Sequence, residues 1–112
     1  MSGVYGKFFN LVKALTEATP EWPKLDAVEE RFLYTLSGEW YTGNQVTVLD
    51  AASIMEGVSE STAHRRLATL VKKGVIKFTS CKTDRRIKIV LPTDLTIYYF
   101  SQLSACLKNA AE

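Results

Sequence analysis

The sequence predicts a mostly α-helical chain that carries one small β-hairpin, and three observations predict it. Apolar residues recur at helical spacing in five separate segments. One stretch, Val75 to Leu91, instead reads as two strands about a polar turn. Just before it, two of the helical segments are joined by a tight turn containing Gly57.

The first helix is expected over Gly3 to Glu17, with Val4, Phe8, Leu11, Val12 and Leu15 as one apolar stripe. Thr19-Pro20-Glu21-Trp22-Pro23 ends it, because proline lacks the amide hydrogen and restricts the residue before it. The second helix runs from about Leu25 to Leu36 or a little beyond, with Leu25, Val28, Phe32, Leu33 and Leu36 inward. Its acids Asp26, Glu29 and Glu30 suit the positive end of the helix dipole. Ser37 to Asn44 reads as a connection, and Gln45 to Thr47 as a short strand.

Thr47 and Asp50 fit a capping box that opens a short third helix, Val48 to Met55, closed by Glu56-Gly57. Ser59 is a good N-cap for the fourth helix, which runs to Lys73 and stops at Gly74. Val75 to Ser80 makes a strand and Cys81 to Arg85 a turn. Arg86 to Leu91 returns, with Ile87, Ile89 and Leu91 on one face. A last helix follows Pro92, from about Thr93 to Ala110. Two short helices, a tight turn and a two-stranded hairpin are the parts of a winged helix-turn-helix. The expected organisation is one domain. Residues 1–22 form the N-terminal helix and linker, 24–92 the winged core and 93–112 the C-terminal helix.

Charge is segregated along the chain. From Glu60 to Lys88 there are nine basic and two acidic side chains, a net +7. The remainder holds five basic and ten acidic residues, a net −5. That asymmetry points to a polyanionic partner more than the total of +2 does. No apolar run approaches the roughly 20 residues of a membrane span, and Met1 to Lys13 lacks the features of a signal peptide. A cytoplasmic location is the expectation, with no membrane contact. Cys81 and Cys106 stand far apart in no metal-like spacing, and read as reduced thiols, one in a loop and one packed. Redox sensing through either thiol stays open. Without a Gly-rich phosphate loop, a metal-ligand set or a nucleophile–base pair, neither an enzyme nor a cofactor is expected.

From about Val46 to Thr93 the chain resembles the MarR family of bacterial transcription regulators. Val58-Ser59-Glu60-Ser61-Thr62-Ala63-His64-Arg65, followed by Leu70, Gly74, Val75 and Ile76, is similar to that family's recognition helix and following strand. Thr83-Asp84-Arg85-Arg86, then alternating apolar residues and Thr93, resembles its wing. Three features depart from the pattern. The turn at Glu56-Gly57 is one residue longer, about twenty residues follow the wing where the family has two longer helices, and position 60 is glutamate.

The resemblance implies a dimeric, sequence-specific regulator of transcription that binds double-stranded DNA, a repressor by expectation. The residues agree with it. Opposite the apolar stripe of Ala63, Leu67, Leu70 and Val71, the fourth helix carries Ser61, Thr62, Arg65, Thr69 and Lys72. With Ser59 and His64 these are the candidates for contact in the major groove. Lys82, Arg85 and Arg86 at the hairpin are candidates for contact near the minor groove. Asp84 is expected to aim a neighbouring arginine. Glu60 either accepts from cytosine or favours the helix N-terminus. The last helix has two apolar stripes, Leu95, Tyr99, Leu103 and Cys106, then Ile97, Phe100 and Leu107. A helix with two such faces buries both, either against the first helix within one chain or against a second chain; a homodimer through Phe8, Leu15, Phe100, Leu103 and Leu107 is the expectation. The competing reading is a winged helix used as a protein-interaction or assembly module. An effector, the operator and the regulated genes are not readable from the residues.

Overall fold

The structure, a computed structural model, describes residues 3–55 and 57–111, with side chains over 10–55 and 57–108. The elements in order are α1 (Gly3–Ala18), α2 (Ala27–Tyr41), α3 (Val48–Ile54), α4 (Glu60–Lys72), β1 (Ile76–Ser80), β2 (Lys88–Pro92) and α5 (Asp94–Ala111). The chain divides into two compact units. One is built on α1 and α5; the other is Lys24–Thr93.

Capping chemistry fixes the starts of three helices. Asp26 accepts from the Glu29 amide at 2.7 Å, and Glu29 Oε1 accepts from the Asp26 amide at 3.0 Å, a closed capping box on α2. Thr47 and Asp50 make the same reciprocal pair on α3. Ser59 caps α4 alone, accepting from the Thr62 amide at 3.2 Å. At the other end of α4, Gly74 adopts φ +79°. The amides of Gly74 and Val75 then reach back to the carbonyls of Val71 and Leu70, which satisfies the last turn.

The core of the Lys24–Thr93 unit is Phe32, Leu33 and Leu36 from α2, Ala51 and Ala52 from α3, Ala63, Leu67 and Leu70 from α4, and Val75, Ile76 and Val90 beside the hairpin. Phe32, Leu33, Leu36, Ala63, Leu67 and Leu70 keep the helical spacing that predicted them, whereas Val90 lies off the expected strand face of Ile87, Ile89 and Leu91. Val28 and Val71, expected inward, are surface residues at 37% and 36% exposure, because each lies at the margin of its stripe. Val12 of α1 is likewise exposed.

Three boundaries differ from expectation. The Ser37 to Asn44 stretch is not a connection at its start, since α2 continues to Tyr41. Trp40 explains the extension. Its indole N–H donates to the Val90 carbonyl at 3.1 Å, tying the last turn of α2 to β2. Gln45 to Thr47 forms no regular strand. It contributes one bridge, Thr47 to Ile89, and a 2.8 Å bond from the Val90 amide to Val46. The returning strand begins at Lys88 rather than Arg86, because Asp84 holds Arg86 and Ile87 in the turn. With β1 on one side and the Thr47 bridge on the other, β2 buries Ile89 and Val90 in succession, while Ile87 stays 41% exposed.

In the other unit α1 packs along α5. Trp22, after α1, stacks on Tyr99 with ring centroids 3.8 Å apart, and Phe100 meets Tyr99 edge-on at 5.5 Å. Stacked and edge contacts between rings add to the area they bury. Tyr99 is buried, Leu95, Leu103 and Cys106 are half-buried, and the second stripe leaves Ile97 and Leu107 exposed at 55% and 51%.

Candidate nucleic-acid interface

The Ser59 cap begins a short chain of hydroxyl and guanidinium contacts along α4. Its hydroxyl donates to Thr62 Oγ1 at 2.8 Å, and Thr62 Oγ1 accepts from Arg65 Nη2 at 3.3 Å. Ser61 Oγ lies 3.4 Å from Ser59 Oγ, and the Thr69 hydroxyl donates to the Arg65 carbonyl at 3.1 Å. Ser59, Ser61, Arg65 and Lys72 are exposed; Thr62, His64 and Thr69 are half-buried. The structure thus brings Ser59, Ser61, Thr62, Arg65 and Thr69 into one run on the side away from Ala63, Leu67 and Leu70. One Arg65–Thr62 bond of 3.3 Å leaves most guanidinium donors of Arg65 available.

His64 Nε2 stands 3.7 Å from Glu60 Oε1, one turn apart and outside hydrogen-bond distance. In the hairpin, Lys82, Arg85 and Arg86 are all exposed. Asp84 accepts from the Arg86 amide at 3.0 Å and from its Nε and Nη2 at 3.2 and 3.3 Å. These side-chain and backbone bonds from Arg86 hold the Asp84 carboxyl below its ordinary value. Cys81 lies at the same turn. The Thr83 hydroxyl, 3.2 Å away, and the amides of Thr83 and Asp84 push its thiol down, towards the thiolate.

Two basic residues counted with this surface are engaged elsewhere. Arg66 Nη1 pairs with Asp26 at 2.7 Å. Lys73 Nζ pairs with Glu29 at 2.8 Å and also donates to the Lys24 carbonyl at 2.9 Å. Glu29 is 2% exposed, and its Oε2 has no partner. Its Oε1 therefore joins the start of α2 to the end of α4. In the sequence Glu29 reads only as an acid near a helix dipole, and nothing local signals its burial. The Asp26 carboxyl is lowered chiefly by the Glu29 amide, then by Arg66.

An open groove of about 490 Å³ lies between the start of α3 and the hairpin. Thr47, Val48, Leu49, Phe78 and Ile87 line it, with Arg86 and Lys88 beside them. Leu49 is 70% exposed there, a feature the sequence pattern missed. Of the expected dimer residues, Leu15, Phe100 and Leu103 are half-buried and Leu107 is exposed. The Phe8 side chain lies outside the described residues. Among the described residues no three His, Cys, Asp or Glu side chains are grouped to hold a metal ion, and no helix is long and apolar enough to cross a membrane.

A capped pair of short helices, a hairpin after the second of them, and flanking helices at both ends define a winged helix-turn-helix protein. No protein-family model matches the sequence, and no curated protein does. Solved structures do match. The heme-free form of PefR aligns with 93% of this chain and 89% of its own, at 23% identity and a TM-score of 0.56. PefR of Streptococcus agalactiae in complex with heme aligns with 95% of this chain and 69% of its own, at 19% identity and 0.60. A cysteine variant of MarR from E. coli complexed with operator DNA covers 96% and 74%, at 16% identity and 0.57. The fold is that of the MarR-type winged-helix regulators.

Proposed function

We propose that the chain is a sequence-specific double-stranded DNA-binding regulator of transcription. It acts as a homodimer, with α4 in the major groove and the hairpin beside the minor groove. The observation that carries this reading is the exposed run of Ser61, Arg65 and Lys72 on α4, hydroxyl groups near its N-terminus and positive charge towards its C-terminus. Arginine pairs bidentately with guanine, and base edges are read by the first turns of such a helix. The likeness to a MarR structure solved on operator DNA supports it. Repression is the sense of regulation we assign, following the adhesin competence repressor of Streptococcus pyogenes, which shares the fold at 22% identity and a TM-score of 0.54.

The exposed Ile97 and Leu107 on α5 support the dimer, since a second copy removes that apolar face from water. The half-sites of a palindrome lie about one turn of DNA, roughly 34 Å, apart, so the reading requires a two-fold pair whose α4 helices match that spacing. Selection of bound sequences from a random duplex pool tests the reading. A recovered palindrome is expected, and Arg65→Ala should bind that site about 10- to 100-fold more weakly with an unchanged fold. Recovery of no sequence, together with affinity indifferent to salt, would leave the hairpin and α4 as a protein-interaction surface instead.

A further inference from the structure

An acid at the start of a DNA-reading helix needs a reason. In α2 and α3 the first-turn acids Glu29 and Asp50 close capping boxes. In α4 the equivalent third position is Thr62, and the Ser59 hydroxyl completes the cap without an acid. Glu60 is the first helical residue, and its side chain is 77% exposed. No lysine or arginine among the described residues pairs with it; one turn on, His64 Nε2 lies 3.7 Å from Oε1, an ion pair only when the imidazole is protonated. Arg65 turns to Thr62 rather than to Glu60. Among the described residues the Glu60 carboxylate accepts no hydrogen bond, on a helix whose other exposed charges include Arg65 and Lys72.

A carboxylate only accepts hydrogen bonds. Phosphates repel it, and the major-groove edges of guanine and thymine offer acceptors alone. Adenine presents an amino donor beside the N7 acceptor, whereas cytosine presents the N4 amino group without an adjacent acceptor. We infer that Glu60 is a specificity-determining residue of the interface, accepting a hydrogen bond from cytosine N4 and rejecting sites that lack it. This inference rests on the DNA-binding reading and deepens it. Glu60 lowers affinity for arbitrary DNA and returns affinity where a cytosine stands in reach. Selectivity is then set by a repelled charge as much as by an attracted one.

The test is selection from a random duplex pool with the full chain as wild type, Glu60→Gln and Glu60→Ala. Wild type is expected to recover one cytosine at a fixed place in each half-site, and replacing it should weaken wild-type binding by roughly five- to a hundredfold. Glu60→Gln should move that preference towards adenine, which glutamine pairs bidentately. Glu60→Ala should lose the preference and bind random duplex more tightly. The rival role, a favourable charge at a helix N-terminus, predicts the same recovered sequence for all three proteins and a lower melting temperature for the two variants. A common sequence for all three overturns the assignment of Glu60 and leaves the DNA-binding reading standing. Recovery of no sequence by wild type overturns both.

Discussion

Replacing Lys73 with methionine removes a cation that meets a carboxylate almost wholly out of water. The Glu29 side chain is 3% exposed, and that of Lys73 is 31% exposed. After the change, Glu29 Oε1 keeps only the Asp26 amide, and Oε2 still has no partner. Breaking a buried pair by deleting one member costs about 3–5 kcal/mol, because the other charge is left behind. Exposed pairs contribute about 0–1 kcal/mol. Glu29 sits at the buried limit and Lys73 between the two, so Lys73→Met should cost about 2–4 kcal/mol. For a small domain that is a fall in melting temperature of roughly 10–20 °C. Urea and thermal unfolding followed by far-ultraviolet circular dichroism measure it directly. Glu29→Gln in the Lys73→Met background should recover part of the loss, since a neutral amide is cheaper to bury than an unpaired carboxylate. A Lys73→Met protein within about 0.5 kcal/mol of wild type would refute the reasoning, since surface substitutions fall in that range.

Three further outcomes follow from the geometry. The Asp26 carboxyl is held low by the Glu29 amide and Arg66, so its stabilisation is present above the unfolded value and is lost as pH falls through the lowered one. Asp26→Asn keeps a good N-cap, so its urea midpoint should lie below wild type near pH 7 and converge with it as pH falls through the lowered value; a constant gap would contradict the assignment. Arg85→Ala should flatten the plot of log affinity for duplex DNA against log salt by about 0.9, and Arg86→Ala by less, because Asp84 already holds Arg86. An unchanged slope for the double variant would remove the hairpin from the interface. Leu107→Glu should split the proposed dimer with little loss of helix, as Leu107 is half-exposed, whereas Phe100→Glu also disturbs the contact with Tyr99; light scattering decides both, and a Leu107→Glu dimer would move the interface elsewhere.

What was legible in the sequence is what local chemistry determines. The Thr47–Asp50 box, the Ser59 cap and the Gly74 stop each depend on residues within a turn of one another, and each stands where the pattern put it. The stripe of Ala63, Leu67 and Leu70 fixed which side of α4 faces outward, and so exposed the candidate contacts. What escaped depends on partners far along the chain. The last turns of α2 are anchored by a bond from Trp40 to Val90, 50 residues on. Glu29 is buried because Lys73, 44 residues away, reaches it. Arg66 and Lys73 contribute to the positive count of their segment, yet α2 largely answers their charge. Local periodicity carries no trace of such pairings.

The chain holds two tryptophans, and the fold gives each a different neighbour. Trp22 lies flat against the Tyr99 ring, inside the unit of α1 and α5. Trp40 is hydrogen-bonded to the backbone of β2, inside Lys24–Thr93. Each compact unit therefore contains its own intrinsic fluorophore. Trp22→Phe leaves an emission that reports on the strand leading out of the wing, and Trp40→Phe leaves one that reports on the terminal helices. Unfolding curves from the two single-tryptophan proteins coincide if the units melt as one cooperative body, and separate if they do not. Without any attached label, titration with DNA or dilution of the proposed dimer becomes an optical measurement that names any unit that responds.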